Sequence, residues 1–167
     1  GLPVLALHVN HQLSPHANYW QQHCQNCCEA WGVPFVAQTV SVVTSGRGLE
    51  AAARLARYDA FARVVSEGDL LLLGHHRDDQ VETVLLRLFR GSGVLGLRGM
   101  EALTPWRGAR LLRPLLSFSK ADLIAYAHDR QWRWIEDESN ASDAFDRNYL
   151  RHRILPAIQS RWPHLPV

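Results

Sequence analysis

The chain has 167 residues, 47% hydrophobic and 20% charged, enough for one globular domain with a real core. No apolar run reaches the ~20 residues of a membrane-spanning helix and no secretory leader is visible, so a cytoplasmic location is expected. The net charge of +2 makes no whole-chain demand for a nucleic-acid partner, and any such partner must be argued from local patches.

Apolar runs alternate with amphipathic stretches. Val4–Val9 reads as a strand, and Ser14 to about Trp31 as a helix with Ser14 as cap and Pro15 in the first turn. The three cysteines, Cys24, Cys27 and Cys28, are an odd and clustered set, which argues against a disulfide framework. With Trp20 and Trp31 they recur at helical intervals, and this predicts a buried stripe. No second cysteine pair exists to complete a metal site. Pro34–Val40 reads as a second strand, followed by the Ser/Gly-rich loop VVTSGRG.

Leu49 to about Ser66 reads as a long helix with Leu49, Ala53, Ala56, Ala60 and Val64 on its inner face. Glu50, Arg54 and Arg57 fall at i, i+4 and i+7 on the opposite face. Arginines there suit phosphate, but spacing alone favours a solvated face with one Glu–Arg pair. Leu70–Leu73 is a continuous apolar run, the pattern of a parallel strand covered on both sides. The helix Asp78–Phe89 follows, with Val81, Leu85 and Leu88 inward.

In RGSGVLGLRGM, Arg90 to Met100, the glycines follow a helix rather than precede one, so they lack the helix N-terminus that makes a phosphate loop. Gly91 is expected to cap the helix, and the other glycines mark a flexible loop. Arg110–Leu116 is a short apolar piece. A helix runs from near Ser119 to about Gln131, and the tail from Trp132 carries another near Asp146–Arg161. Strands alternating with helices define an α/β fold with a parallel, Rossmann-like sheet. The expected division is a nucleotide-binding domain over 1–131 and a small helical C-terminal extension over 132–167. The chain opens almost inside a strand and stops at Pro163-His164-Leu165-Pro166, which gives the expectation of a piece cut from something larger.

In an open parallel sheet, ligands sit beyond the C-terminal strand ends. His8, Asn10 and His11 occupy that position on the first strand, and Gly74, His75 and His76 on the third. Asp79 and Glu82 are three apart and share a helix face. Two such carboxylates could hold Mg²⁺ shared with substrate phosphates. The same spacing is also that of a capping box, favoured by the helix dipole by roughly 0.3–1 kcal/mol per acid, and spacing alone prefers capping. HHRDD matches no standard zinc spacing. In the tail, Glu136, Asp137, Glu138 and Asp143 form an acidic turn. Arg147, Arg151, Arg153 and Arg161 follow on one helix with Asn148 and Tyr149. Phosphate binding and pairing with the acidic turn both stay open.

Taken together, GHHRDDQVETVLLRLFRGSG with GLRGM, then LLRPLL, then IEDESNASDAFDRNYLRHRILP closely resemble the bacterial tRNA(Ile)-lysidine synthetase family, ATP pyrophosphatases with an N-type PP-loop. HVNHQLSPHA and GLEAAARLARYDAF match the same family in the same order, so the resemblance runs from about Val4 to Pro163. It implies an adenine nucleotide alpha hydrolase-like fold and a carbon–nitrogen ligase using ATP and Mg²⁺. Such a ligase adenylates C2 of the wobble cytidine in tRNA(Ile) with a CAU anticodon, and L-lysine then displaces AMP.

By that resemblance, His8, Val9 and His11, with Gly74 and His75, lie at ATP. Arg54 and Arg57 neutralise phosphate as pyrophosphate leaves. Asp79 and Glu82 bind metal or act in catalysis, Asp79 as the acceptor of the lysine proton. Arg147, Asn148 and Arg151 face nucleotide or tRNA. Asp79 and Glu82, Arg54 and Arg57, and the His8–His11 rim are expected to converge on one pocket.

The family's Ser-Gly-Gly-x-Asp-Ser signature, expected before Val4, is absent, and SGRGLE at Ser45–Glu50 lies in a different loop. The C-terminal tRNA-binding domains of longer members are absent too. This polypeptide is therefore expected to show little ATP-dependent chemistry, and loss of a central strand to weaken its folding. Two alternatives stand beside this reading: a PP-loop enzyme that thiolates tRNA, and a non-catalytic tRNA-binding fragment. The oligomeric state, a homodimer included, the lysine pocket and the tRNA identity elements are left open.

Overall fold

A computed structural model describes residues 2–44, 46 and 48–163. Ser45 and Arg47 of the Ser/Gly-rich loop and residues 164–167 of the tail lie outside the described residues. The chain divides into two compact units, Gly1–Ser66 and Glu67–Val167. No described helix is long and apolar enough to cross a membrane.

The first unit is a βαβ crossover followed by a helix. Strand β1 (Ala6–Asn10) pairs in parallel with β2 (Phe35–Thr39), Ala6 opposite Phe35 and Asn10 opposite Thr39. Helix α1 (Ala17–Trp31) carries the crossover, since parallel neighbours cannot be joined by a tight turn. It ends where Gly32 takes φ 65°. The Gly32 and Val33 N–H groups then close on the Glu29 and Cys28 carbonyls at 3.1 and 2.9 Å, the Schellman arrangement that only a left-handed residue permits. Cys28 is buried, and Trp20, Cys24 and Cys27 are half-buried. Trp31 departs from the expected stripe at 59% exposure. It lies in the last turn of α1, inside the closure of Val33 on Cys28. All three cysteines are free. Helix α2 (Leu49–Ala62) buries Ala52, Ala60 and Phe61, while Leu49 stays 40% exposed. It stops four residues before the expected Ser66, in a turn where Val64 and Val65 both donate to the Phe61 carbonyl.

The second unit is built on a three-stranded sheet of order β3-β5-β4. Strand β3 (Leu70–Leu72) runs parallel to β5 (Ala109–Leu112), and β4 (Leu103–Trp106) runs antiparallel to β5. The β4–β5 hairpin is absent from the sequence reading, which has only a short apolar piece over Arg110–Leu116. Pro105 is tolerated here because β4 is the sheet edge. The two-residue turn is explicit in the backbone: Arg107 and Gly108 both have positive φ, 48° and 80°, as a type I′ turn requires. Strand β3 also departs from expectation. It is not covered on both sides: Leu70 and Leu72, which share a face, are 44% and 55% exposed, and β3 is an edge strand of its sheet.

Helices α3 (Arg77–Phe89) and α4 (Lys120–Asp129) follow β3 and β5. The chain then runs through α5 (Asp146–Tyr149), a π-helical turn (Leu150–Ile154) and α6 (Leu155–Arg161). Residues 146–161 thus form one nearly continuous helical segment, as the spacing predicts. The inner face of α3 is not the expected one. Leu88 is 50% exposed, whereas Glu82 and Thr83 are buried. The reason is that α5 packs on α3 and the π-helical turn that follows α5 brings Arg151 to Glu82.

The glycine loop after α3 is tied to the helix by specific hydrogen bonds. Gly91, at φ 71°, and Ser92 close the helix on the Leu88 and Arg87 carbonyls at 3.0 and 2.9 Å, so the expected glycine cap is present. Arg87 then donates to the Gly96 and Gly99 carbonyls at 2.9 and 2.8 Å. The Gln80 amide holds Met100 by both backbone groups, at 2.9 and 2.6 Å.

Candidate active site

His8, Val9, His11, Arg54 and Arg57 belong to the first unit, and Gly74, His75, Asp79, Glu82, Arg147, Asn148 and Arg151 to the second. In the first unit the site grows from the end of β1. Asn10, 2% exposed, donates to Asn18 Oδ1 at 3.1 Å and Gln21 Oε1 at 3.0 Å on α1. It also accepts the Gln12 N–H at 3.0 Å. Gln12 is held at φ 54°, an uncommon conformation for a residue with a side chain. This network fixes the backbone on both sides of His11.

From α2, Arg57 Nε comes to 3.5 Å of His11 Nε2, the long end of a hydrogen bond. Burial, the Arg57 charge and His8 push the His11 pKa down, and burial alone lowers that of His8. Both rings are therefore neutral near pH 7, and their edges can meet an uncharged heterocycle without bringing a charge. Arg54 lies over the Tyr58 ring, 4.8 Å from its centroid, and donates to the Tyr58 hydroxyl at 3.1 Å. A cavity of about 430 Å³ also opens in this unit between the end of β2 and α2, with Val40, Ala52, Leu55, Asp59 and Arg63 in its wall. None of the expected site residues lines it.

In the second unit, Gly74 and His75 leave β3 and lead into the first turn of α3. Three of that turn's features are fixed by specific bonds. The Arg77 N–H donates to the Phe118 carbonyl at 2.8 Å. Asp78 accepts the Lys120 N–H at 2.6 Å, joining the starts of α3 and α4. Asp79 reaches back to accept the His76 N–H at 3.0 Å.

Asp79 is therefore a capping acid, but the capping box expected between Asp79 and Glu82 is not the one formed. The helix starts at Arg77, so Asp79 stands at the third position, from which a side chain reaches the cap. Glu82 is a turn deeper, beyond the unpaired N–H groups. Glu82 has a different partner. It is 0% exposed, and Arg151 donates to its Oε1 from Nε at 2.9 Å and Nη2 at 2.6 Å. The other oxygen, Oε2, is buried and has no hydrogen-bond partner. Burial pushes the Glu82 carboxyl above the usual carboxylate range, against the pull of Arg151, and Asp79 raises it further.

The tail helix is fixed by the same face. Asn148, 7% exposed, donates to the Ser139 and Ser142 carbonyls at 2.8 and 2.9 Å. The question of pairing between the basic helix and the acidic turn is answered at Asp143, which accepts from Arg153 Nε at 2.8 Å and lies 2.7 Å from His152 Nδ1. The charge of Arg147 acts on Glu82. Sequence reasoning missed the Glu82–Arg151 link and the Asn10 network. The one available signal for the latter was a polar residue ending an apolar strand.

The first unit thus places His8 and His11 at one parallel strand end, and the second places Asp79 and Glu82 on the helix that follows another. The chain belongs to the PP-loop domain family, whose profile matches residues 1–158, and its α/β fold is that family's. Among individual proteins, it is 48% identical over 164 residues to the tRNA(Ile)-lysidine synthase of Shigella flexneri, which covers 98% of this chain and 38% of that protein. The proteins of the same name from Escherichia coli O157:H7 and Salmonella heidelberg (strain SL476) are 49% and 50% identical over 164 and 162 residues, covering 98% and 97% of this chain. The chain spans about 38% of the length of these curated relatives.

Proposed function

We propose that this chain is the nucleotide-handling part of a tRNA(Ile)-lysidine synthase, working in the cytoplasm. In this reading ATP adenylates C2 of the wobble cytidine in tRNA(Ile) with a CAU anticodon, pyrophosphate leaves, and L-lysine displaces AMP. The observation that carries it is the fully buried Glu82, with one uncommitted carboxylate oxygen, beside Asp79 at the start of α3. It stands in a chain half-identical to proteins of that name.

The residues divide the work by their chemistry. In the first unit, the neutral His8 and His11 and the backbone at Val9 are the adenine-side contacts. Arg57 and Arg54 are the cations for phosphate, where charge builds as pyrophosphate departs. In the second unit, Gly74 and His75 serve the nucleotide, and Asp79 accepts a proton from the attacking lysine, which must be a neutral amine.

Magnesium fits the second unit's donor set. Glu82 Oε2 is a buried acceptor without a donor, and Mg²⁺ usually takes one or two carboxylates and draws its other ligands from phosphate and water. Among the described residues no group of three His, Cys, Asp or Glu side chains could cage a metal alone, so the ion would arrive with the nucleotide. When bound, it supplies charge compensation at phosphate oxygens.

The test is lysidine formation by the complete gene product, with ATP, labelled lysine and a tRNA(Ile) transcript carrying CAU. The expected result is ATP-dependent lysine incorporation that is lost when the anticodon is changed. No incorporation would end the proposal. The 167-residue polypeptide alone, which has no Ser-Gly-Gly-x-Asp-Ser, is expected to show no ATP–pyrophosphate exchange. An Asp79→Asn protein forming lysidine at the normal rate would remove Asp79 from its assigned role.

A further inference from the structure

We infer that Arg151 is a positioning residue for Glu82, aimed at it by the π-helical turn, so that the tail helix is part of the catalytic machinery of the second unit. This deepens the function proposed above and rests on the role given there to Glu82. Three observations carry it, and each concerns a different atom or backbone feature.

The first is the geometry of the pair. Arginine ordinarily meets a carboxylate as a fork, one nitrogen to each oxygen. Here Nε and Nη2 both donate to Oε1, at 2.9 and 2.6 Å. The guanidinium fixes the carboxylate's rotation and charge through one oxygen and leaves Oε2 uncommitted. A pair serving only stability has no reason to leave a buried acceptor open, because an unmet buried polar group is unfavourable. A carboxylate that must accept a proton or a cation does have that reason.

The second is the backbone around Arg151. The residue lies within the π-helical turn Leu150–Ile154, in a segment that is α-helical on both sides. Widening a helix by one residue weakens its hydrogen bonds and rotates the following side chains. Such turns are rare, and they concentrate where a side chain has to be redirected.

The third is the anchoring of the helix just before that turn. Asn148, three residues earlier and so on the same face, is buried and holds the Ser139 and Ser142 carbonyls. The block Arg147-Asn148-x-x-Arg151 thus clamps its own preceding turn with one residue and Glu82, 69 positions away, with another.

The experiment compares the complete gene product with its Arg151→Met, Arg151→Lys, Glu82→Gln and Glu82→Gln/Arg151→Met variants. It measures kcat for lysidine formation at saturating ATP and lysine, Kd for tRNA at fixed salt, and Tm. A residue acting through another typically changes activity 10–100-fold, so Arg151→Met is expected to lower kcat by about that factor with the tRNA Kd unchanged. Arg151→Lys recovers part of the loss, and the double variant is no slower than Glu82→Gln alone. Arg151→Met lowers Tm, and much of that loss disappears in the Glu82→Gln background.

A weakened tRNA Kd with normal kcat, or kcat losses that multiply in the double variant, would overturn the inference. If Arg151→Met does not fold, the double variant against Glu82→Gln decides, since it removes the buried charge with its partner: equal kcat and Kd support the inference, and weaker tRNA binding overturns it. If the unsubstituted protein forms no lysidine, the proposed function fails. The Tm cycle still judges the pair, and independent, additive Tm losses overturn it.

Discussion

Asn148 offers the sharpest test of how the tail is held. Its side-chain nitrogen donates to two carbonyls, Ser139 at 2.8 Å and Ser142 at 2.9 Å, from a position 7% exposed. A net intramolecular hydrogen bond contributes about 1 kcal/mol. Asn148→Ala therefore loses about 2 kcal/mol, and somewhat more if the Ser142 carbonyl stays dry. Ser139 is exposed, so its carbonyl can be rewetted. In a protein of this size that corresponds to a Tm lower by roughly 4–8 °C.

Asn148→Asp is nearly isosteric and keeps the packing, yet it sets a carboxylate oxygen against the same two carbonyl oxygens. It should be more destabilising than Asn148→Ala although it removes no atom from the core. Thermal or urea unfolding of the two variants beside the unsubstituted protein measures the difference. An Asn148→Asp protein at least as stable as Asn148→Ala would refute the reasoning, because it would mean that the donated bonds contribute nothing.

Three further outcomes follow from particular contacts. Gly99 has φ 71°, and a Cβ there would come within 2.7 Å of the Gln80 amide. Gly99→Ala should thus lose roughly 1–3 kcal/mol of stability to backbone strain and also disturb the Gln80–Met100 clamp, seen as faster exchange of the Met100 amide; an unchanged exchange rate would contradict the clamp. Ser119 caps α4, accepting the Asp122 N–H at 3.0 Å and receiving the Asp122 carboxylate on its own N–H at 2.8 Å. Ser119→Ala should lose about 1 kcal/mol in chemical unfolding, and a neutral result would show that the cap is replaced by water. The depressed His11 pKa means that the folded state binds fewer protons than the unfolded one. The stability linked to His11 is present above its ordinary 6.5 and is lost as pH falls toward the lowered folded value. Arg57→Met should move the His11 titration upward by NMR while leaving it below 6.5, because burial is the larger cause; no movement would separate Arg57 from His11.

What was legible in the chain was what local periodicity encodes. The strand–helix–strand of the first unit, α2, α3 and α4 all follow from apolar spacing and the turn chemistry around them, although Ser14 does not cap α1, which starts at Ala17 with His16 in the cap position. The β4–β5 hairpin was not legible, because β4 is a four-residue edge strand containing a proline, and such a stretch carries little strand signal. The open face of β3 was not legible either, since a run of leucines looks the same whether one face or both are covered.

The candidate site divides along the same line. Asp79 was identifiable by position, and its capping bond to His76 follows from local helix geometry. Glu82 looked from spacing like a second capping acid, and nothing within a turn of it says otherwise. Its burial is decided by Arg151, 69 residues on, whose aim depends on a π turn that no residue pattern announces. Burying an ionised carboxylate without a cation or donors to meet it is strongly unfavourable, so the inward turn of Glu82 depends on the tail helix and not on α3 alone. For that reason the apolar template put Leu88 inside and the structure puts Glu82 there. The error is itself informative: a helix that turns a glutamate inward and leaves a leucine half in water is arranged around the charge.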